Sequence, residues 1–212
     1  MRRALLNAVC VLLALAASCS VARAAQTSTT YTLVNLDDYF NNDGISWDHD
    51  PIDGDLDFGW MSLPAEQLAR AGQAARLRGV YFVFPPTEDG RDNNIVCYNQ
   101  VVKVPATRCV ALHMLVTSIS GTRRAAFNIT YVDGSSSTVS QRIPDMKGAP
   151  GFGGYVGVET DHKHSSEGDV TPGGRLYVFS FKTDPAREVV SVTLPEEPAI
   201  RVFAITLQSA EE

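Results

Sequence analysis

The chain has 212 residues, 44% of them hydrophobic and 20% charged, with a formal net charge of −6, a balance that fits a folded globular protein and not a disordered or collagen-like one. Acids outnumber bases, and lysines and arginines gather only into the local pairs Arg76/Arg78 and Arg123/Arg124. This excludes a nucleic-acid partner, since phosphate backbones demand a basic face.

The opening Met1-Arg2-Arg3, the apolar stretch Ala4 to Ala17 and the small residues ending in Ala22-Arg23-Ala24 have the layout of a secretory signal peptide. Residues 1–24 are therefore expected to be a leader, with one domain over 25–212. An uncleaved anchor is the alternative, against which Asn7 and the Ala22-Arg23-Ala24 site speak. A lipoprotein attached through Cys19 is disfavoured by Ala16. No second segment approaches the roughly 18 apolar residues of a membrane span, so an exported, extracellular chain is expected. Without the three arginines of the leader, 24 acids face 15 bases, a net charge of −9.

After the leader, "TTYTLVNL" (29–36) alternates and reads as a first strand. An acidic segment follows over 37–62. "PAEQLARAG" (64–72) predicts the one short helix, with Pro64 at its start and Gly72 as its stop. From Gly79 onward β-branched and apolar runs recur at 79–84, 95–97, 100–104, 110–119, 125–132, 136–143, 175–182, 188–194 and 200–207. Most are separated by turn chemistry, such as Pro105, Asp133-Gly134 and Asp184-Pro185. The spacing predicts an all-β fold, an antiparallel jelly-roll β-sandwich. The stretch 144–174, with eight glycines, reads as a long loop holding one short strand near Tyr155–Glu159.

Cys10 and Cys19 belong to the leader, leaving Cys97 and Cys109. In an oxidising compartment that pair is expected to form a disulfide, the alternative being two buried thiols. Asn128-Ile129-Thr130 is a glycosylation sequon on a strand position expected to face water.

Three features carry chemistry. In "YFNNDGISWDHDPIDGDLDFGW" (39–60), Asp53, Asp55 and Asp57 alternate around a glycine, an oxygen-rich pattern suited to calcium. The twelfth-position glutamate of an EF-hand is missing, and turn-forming aspartates are the plain alternative. The same segment holds both tryptophans. Indoles stack on sugar rings while acids accept hydroxyl hydrogen bonds, so Asp43, Trp47, Asp48, His49 and Asp50 form a candidate glycan-binding set, with Trp60 expected in the core. The third feature is "DHKHSSE" (161–167), where His162 and His164 would share one side of an extended chain. With Asp161 or Glu167 they have the chemistry of a transition-metal site or an acid–base pair; a plain polar loop is the alternative. His113, inside an apolar strand, reads as a satisfied core histidine. Signatures of catalysis such as GxSxG, HExxH or a phosphate loop do not occur.

The elements "VNLDDYFNNDGIS", "GDLDFGWMSLPAEQL" and "RVFAITL" resemble the galactose-binding-domain-like β-sandwich modules attached to many secreted glycoside hydrolases. The resemblance spans most of residues 30–208 and implies a jelly-roll accessory module with a carbohydrate-binding role. It places Asn41, Asn42, Asp43, Gly44, Asp55, Asp57 and Gly59 as loop positions and supplies no catalytic residue. The chain departs from the pattern in carrying no hydrolase domain and in having Trp47 and His49 where such modules are small and polar. The reading is a secreted, non-catalytic module that binds a glycan or polysaccharide, acting beside a separate glycoside hydrolase or surface protein. An exported structural or protein-interaction module is the alternative, followed by a small lyase or hydrolase using His162 and His164.

Overall fold

A computed structural model describes residues 29–209; the expected leader lies outside them. The strands in chain order are β1 (Tyr31–Leu33), β2 (Ile45–Ser46), β3 (Leu63–Pro64), β4 (Ala74–Leu77), β5 (Val80–Val83), β6 (Ile95–Tyr98), β7 (Val101–Ser118), β8 (Arg123–Tyr131), β9 (Ser136–Ile143), β10 (Tyr155–Glu159), β11 (Arg175–Lys182), β12 (Glu188–Thr193) and β13 (Glu196–Ser209). A single 3-10 turn covers Ala65–Gln67. Among the described residues no helix is long and apolar enough to cross a membrane.

The expected antiparallel β-sandwich is formed. One layer has the order β10-β11-β7-β13, with β1 and β6 side by side along the far edge of β13. The second has the order β9-β8-β12-β7. Strand β7 serves both, because residues 101–108 pair with β12 while residues 111–118 lie between β11 and β13. Its burial changes accordingly. The first half alternates wet and dry, as an edge strand with one solvated face does, and the second half is buried on both faces.

Pro105, read from sequence as a separator, sits inside β7 instead. It lies on an edge of the second layer, beside an irregularity between Val189 and Ser191 of β12, where a missing N–H leaves no ladder partner unsatisfied.

The period of two assigns side chains to two cores. Met114, Val116, Tyr177 and Phe179 face the second layer and pack with Val102, Phe127, Ile129 and Val192. Leu115, Leu176, Val178 and Ala204 point the opposite way and are covered by Ile45, Leu56, Leu63, Phe82 and Phe84. The segment 37–90 is thus a third, largely irregular layer fastened to the outer face of the first sheet. Burying each such side chain stabilises the fold by about 1.5–3 kcal/mol.

Two expectations are corrected. The helix over 64–72 is reduced to one 3-10 turn, and the chain beyond it runs into β4, which pairs with β5. Arg78 and Gly79, with φ of 51° and 91°, form the two-residue turn between them. Cys97 and Cys109 are not bridged: both are buried free thiols. Val96, next to Cys97, pairs with Arg201, whereas Cys109 pairs with Ser209 eight residues further along β13. That is roughly 26 Å of strand at about 3.3 Å per residue, far beyond the Cα separation of about 4.4–6.8 Å that a disulfide spans. Burial pushes both thiols up, that of Cys97 far more, while the Thr183 hydroxyl partly offsets the shift at Cys109.

Candidate functional site

The acidic loop is held by amide side chains from residues 93–96. Asn93 Oδ1 accepts from the Gly44 amide at 2.9 Å, and its Nδ2 donates to Asp43 Oδ1. Asn94 Nδ2 donates to the Asn42 carbonyl, Asn42 Nδ2 to the Asp55 carbonyl, and Asn41 exchanges two hydrogen bonds with the Val96 backbone. A Cβ at Gly44 would stand 2.7 Å from both Asn94 Nδ2 and Leu56 Cδ1, so only glycine fits. The "NNDG" residues therefore build the loop. Asp43 is left with one buried oxygen that has no hydrogen-bond partner. Burial, offset in part by the Ile45 amide and Asn93, pushes its carboxyl up to about 6.

Of the three aspartates expected to hold calcium, Asp55 and Asp57 cap local turns, while Asp53 ties the loop to a distant segment. Asp53 accepts from the Gly90 amide, Asp55 from the Trp60 amide at 3.0 Å, and Asp57 from the Gly59 amide at 3.0 Å. They do not gather into a three-ligand set. Among the described residues one such set exists, Asp48 with His162 and His164, whose ligand atoms lie within 4.8 Å of one another.

That set forms where the loop meets the 161–170 segment. Trp47 and Asp50 close a tight turn that places Asp48 and His49 at its tip, and the Asp48 amide is held by Glu66 Oε1 at 2.9 Å. His164 exchanges backbone hydrogen bonds with Ser62, and Lys163 pairs with Val170. Alternation along this extended piece sends Lys163 to the Pro172 and Gly173 carbonyls and both histidines the other way. The imidazole rings are 5.2 Å apart. His164 is 1% exposed; its Nδ1 lies 2.8 Å from Ser46 Oγ and its Nε2 3.0 Å from Asp48 Oδ1. His162 Nδ1 meets Gln67 Nε2 at 3.2 Å, while its buried Nε2 has no hydrogen-bond partner, Asp169 Oδ1 being 3.8 Å away.

The chain Ser46–His164–Asp48 has the composition of a hydrolytic triad with the wrong exposure. Ser46 has no exposed surface and its oxygen is shared with Ser62 and Pro51, while Asp48 is the open member. A nucleophile must be the reachable group.

The two tryptophans exchange the places expected of them. Trp47 is half-buried against the outer core, its Nε1 donating to the Thr87 carbonyl. Trp60 is 63% exposed and Phe58 59%. Both adopt left-handed backbone, with φ of 62° and 60°, on either side of Gly59. The guanidinium of the fully buried Arg201 lies 4.6 Å from the Phe58 ring centroid and donates to the Leu56 carbonyl. His49 is exposed and pairs loosely with Asp89 at 3.5 Å; Asp50 is exposed beside it. His113 is buried and satisfied by Ser180 and Gln208, as expected of a core histidine. Asn128 lies on the outward face of β8, with its Oδ1 bound by Thr138.

A separate cavity of about 380 Å³ opens between residues 33–40 and 83–91, with Phe40, Phe84 and Phe203 in its walls and Asp37, Glu88 and Arg91 among its lining. Its walls come from four separate stretches of chain, none with a local signature.

These features define an all-β domain that carries its chemistry on irregular segments laid over one sheet. The chain matches the AziU2-like beta-sandwich domain family over residues 30–211 and belongs to that family. No curated protein matches it.

Proposed function

We propose that the domain is an extracellular, non-catalytic module that binds a glycan through the face built by residues 43–60, acting beside a separate glycoside hydrolase or surface protein. One observation carries this reading: Phe58 and Trp60 stand exposed on a turn pinned by Asp57 to the Gly59 amide and by Asp55 to the Trp60 amide. Left-handed backbone costs a non-glycine residue about 1–2 kcal/mol, and the Asp55 and Asp57 caps offset it. Strain of this kind is retained where a side chain must be presented. A flat aromatic face among carboxylates is what a sugar ring needs, apolar contact beneath and hydroxyl acceptors around it. The likeness of the "NNDGIS" and "GDLDFG" elements to galactose-binding-domain-like modules supports the same reading. Asp48, His49 and Asp50 supply polar contacts at the neighbouring tip, and Trp47 serves as the wedge that holds it.

The test is retention on a panel of immobilised polysaccharides. Trp60→Ala should weaken binding at least ~10-fold, since truncating an aromatic that anchors a binding surface costs about 2 kcal/mol or more, while its melting temperature stays near that of the parent. Trp47→Ala should lower the melting temperature instead. Retention on no polysaccharide, or retention indifferent to Trp60→Ala, removes the proposal.

A small lyase or hydrolase is the second reading, favoured by the convergence of His162, His164 and Asp48. With Ser46 sealed, its chemistry would fall to the imidazoles alone. Turnover of a polysaccharide that His162→Ala abolishes would establish it over the first.

A further inference from the structure

We propose that Asp48, His162 and His164 form a binding site for a divalent transition-metal ion of the zinc type, which ties the 46–50 turn to the 161–170 segment. The residue types are right: two imidazoles and a carboxylate are the donor set of open zinc sites, in which a water completes the shell. The placement is right as well. Ligand atoms around a tetrahedral zinc stand about 3.3 Å apart, given bonds of about 2.0–2.1 Å, and the three here already lie within 4.8 Å without an ion. His164 Nε2 and Asp48 Oδ1 are at 3.0 Å, the separation of a hydrogen bond that a cation would replace.

The second observation is the unpartnered nitrogen. His162 Nε2 is buried with no hydrogen-bond partner among the described residues, an arrangement that costs free energy because a desolvated polar group is left unpaired. An ion between the rings would relieve it.

The outer supports suit the assignment, because each far ring nitrogen must carry a proton and find an acceptor when the near one binds metal. His164 Nδ1 faces Ser46 Oγ, which can accept a hydrogen bond from Nδ1–H while its own hydroxyl donates to the Pro51 carbonyl at 3.3 Å. His162 Nδ1 faces the Gln67 amide, whose oxygen holds the Asp161 amide at 2.7 Å. A half-turn of that amide offers the oxygen to Nδ1 in exchange for its bond to the Asp161 amide. On ligation each neutral imidazole carries its single proton on Nδ1 in place of Nε2, so no net proton is released and no electrons move. Asp169 Oδ1, 3.8 Å from His162 Nε2, stands near the remaining position.

The site is distinct from the aspartate run 53–57 and does not depend on sugar binding. The set differs in kind from a calcium site, which takes six to eight oxygens.

The experiment uses the purified full chain after exhaustive chelation. Zinc chloride at a free concentration a hundredfold above Kd should raise the melting temperature by roughly 5–10 °C, and cobalt(II) should give visible absorption bands of a four-coordinate site. Calcium chloride should do neither. His164 is buried, so His164→Ala is open to misfolding; Asp48→Asn and His162→Gln, at more exposed positions, are the deciding variants. Each should keep the parent's metal-free melting temperature within a few degrees and lose the cobalt bands. Folded parent protein that shows no bands and no zinc shift overturns the proposal, as does a zinc shift of full size in the Asp48→Asn, His162→Gln double variant. Trp60→Ala should leave zinc binding untouched, which separates failure here from failure of the glycan reading.

Discussion

Asp43 shows how far a single side chain departs from what its letter suggests. In sequence it is one more acid of a soluble-looking loop; in the fold it is half-buried, bound by Asn93 and near Asp53, with its carboxyl raised to about 6. A carboxyl whose folded pKa exceeds its unfolded value of 3.8 binds its proton more tightly in the native state. Its contribution to stability is therefore fully present below pH ~3.8 and lost as pH rises through about 6. Asp43→Asn keeps the oxygen that Asn93 binds and removes the charge. We expect it to melt a few °C above the parent at pH 7.5 and level with it at pH 4, read by calorimetry at the two pH values. The two cysteines make the same point in reverse. Their spacing of twelve suggests a short covalent loop, but what separates them is half of an unusually long strand, and only the pairing reveals that.

At the scale of elements, alternation was a faithful guide. The runs at 136–143 and 175–182 coincide with β9 and β11, and the short strand at Tyr155–Glu159 is β10. Where reading failed, pairing had overruled propensity. The helix expected over 64–72 stops after the turn Ala65–Gln67, and the chain is drawn into β4 beyond it because β5 lies across the Arg78-Gly79 turn. The metal-ligating set was half legible: "HKH" announced two imidazoles on one side, while their carboxylate, Asp48, lies 116 positions from His164. The local acids Asp161 and Glu167 were the natural guesses and neither is in the set.

Arg201 was not legible at all, although it secures the aromatic turn. It is buried without a carboxylate in ion-pair reach among the described residues, and burial lowers its pKa to about 10, so it stays charged at neutral pH. Carbonyls of Leu56 and Pro198 and the Phe58 ring compensate it. In Arg201→Leu the lost hydrogen bonds and the relieved desolvation oppose each other. Global stability should fall by less than about 2 kcal/mol, while hydrogen exchange at the Leu56 amide, bonded to the Met61 carbonyl, should speed at least ~10-fold.

For the whole molecule, the sequence announces a sandwich but not the extra layer upon it, since within 37–90 only the run at 79–84, which is β5, has a readable pattern and nothing in it tells which face it covers. Their attachment rests on the outer core. Phe82→Ala should cost about 3–5 kcal/mol and loosen this layer first, so that limited proteolysis cuts within 37–90 while residues 95–209 resist. Phe127→Ala, between the two sheets, should cost as much and yield no such resistant product.

The sharing of β7 has a further consequence. Eighteen consecutive residues set the inside and outside of two sheets together, so the length of that stretch is not free to drift. A loop can gain or lose a residue and the domain will absorb it. One residue gained within 111–118 would send side chains of one core into the other while residues 101–108 kept their alignment, and no local adjustment could reconcile them.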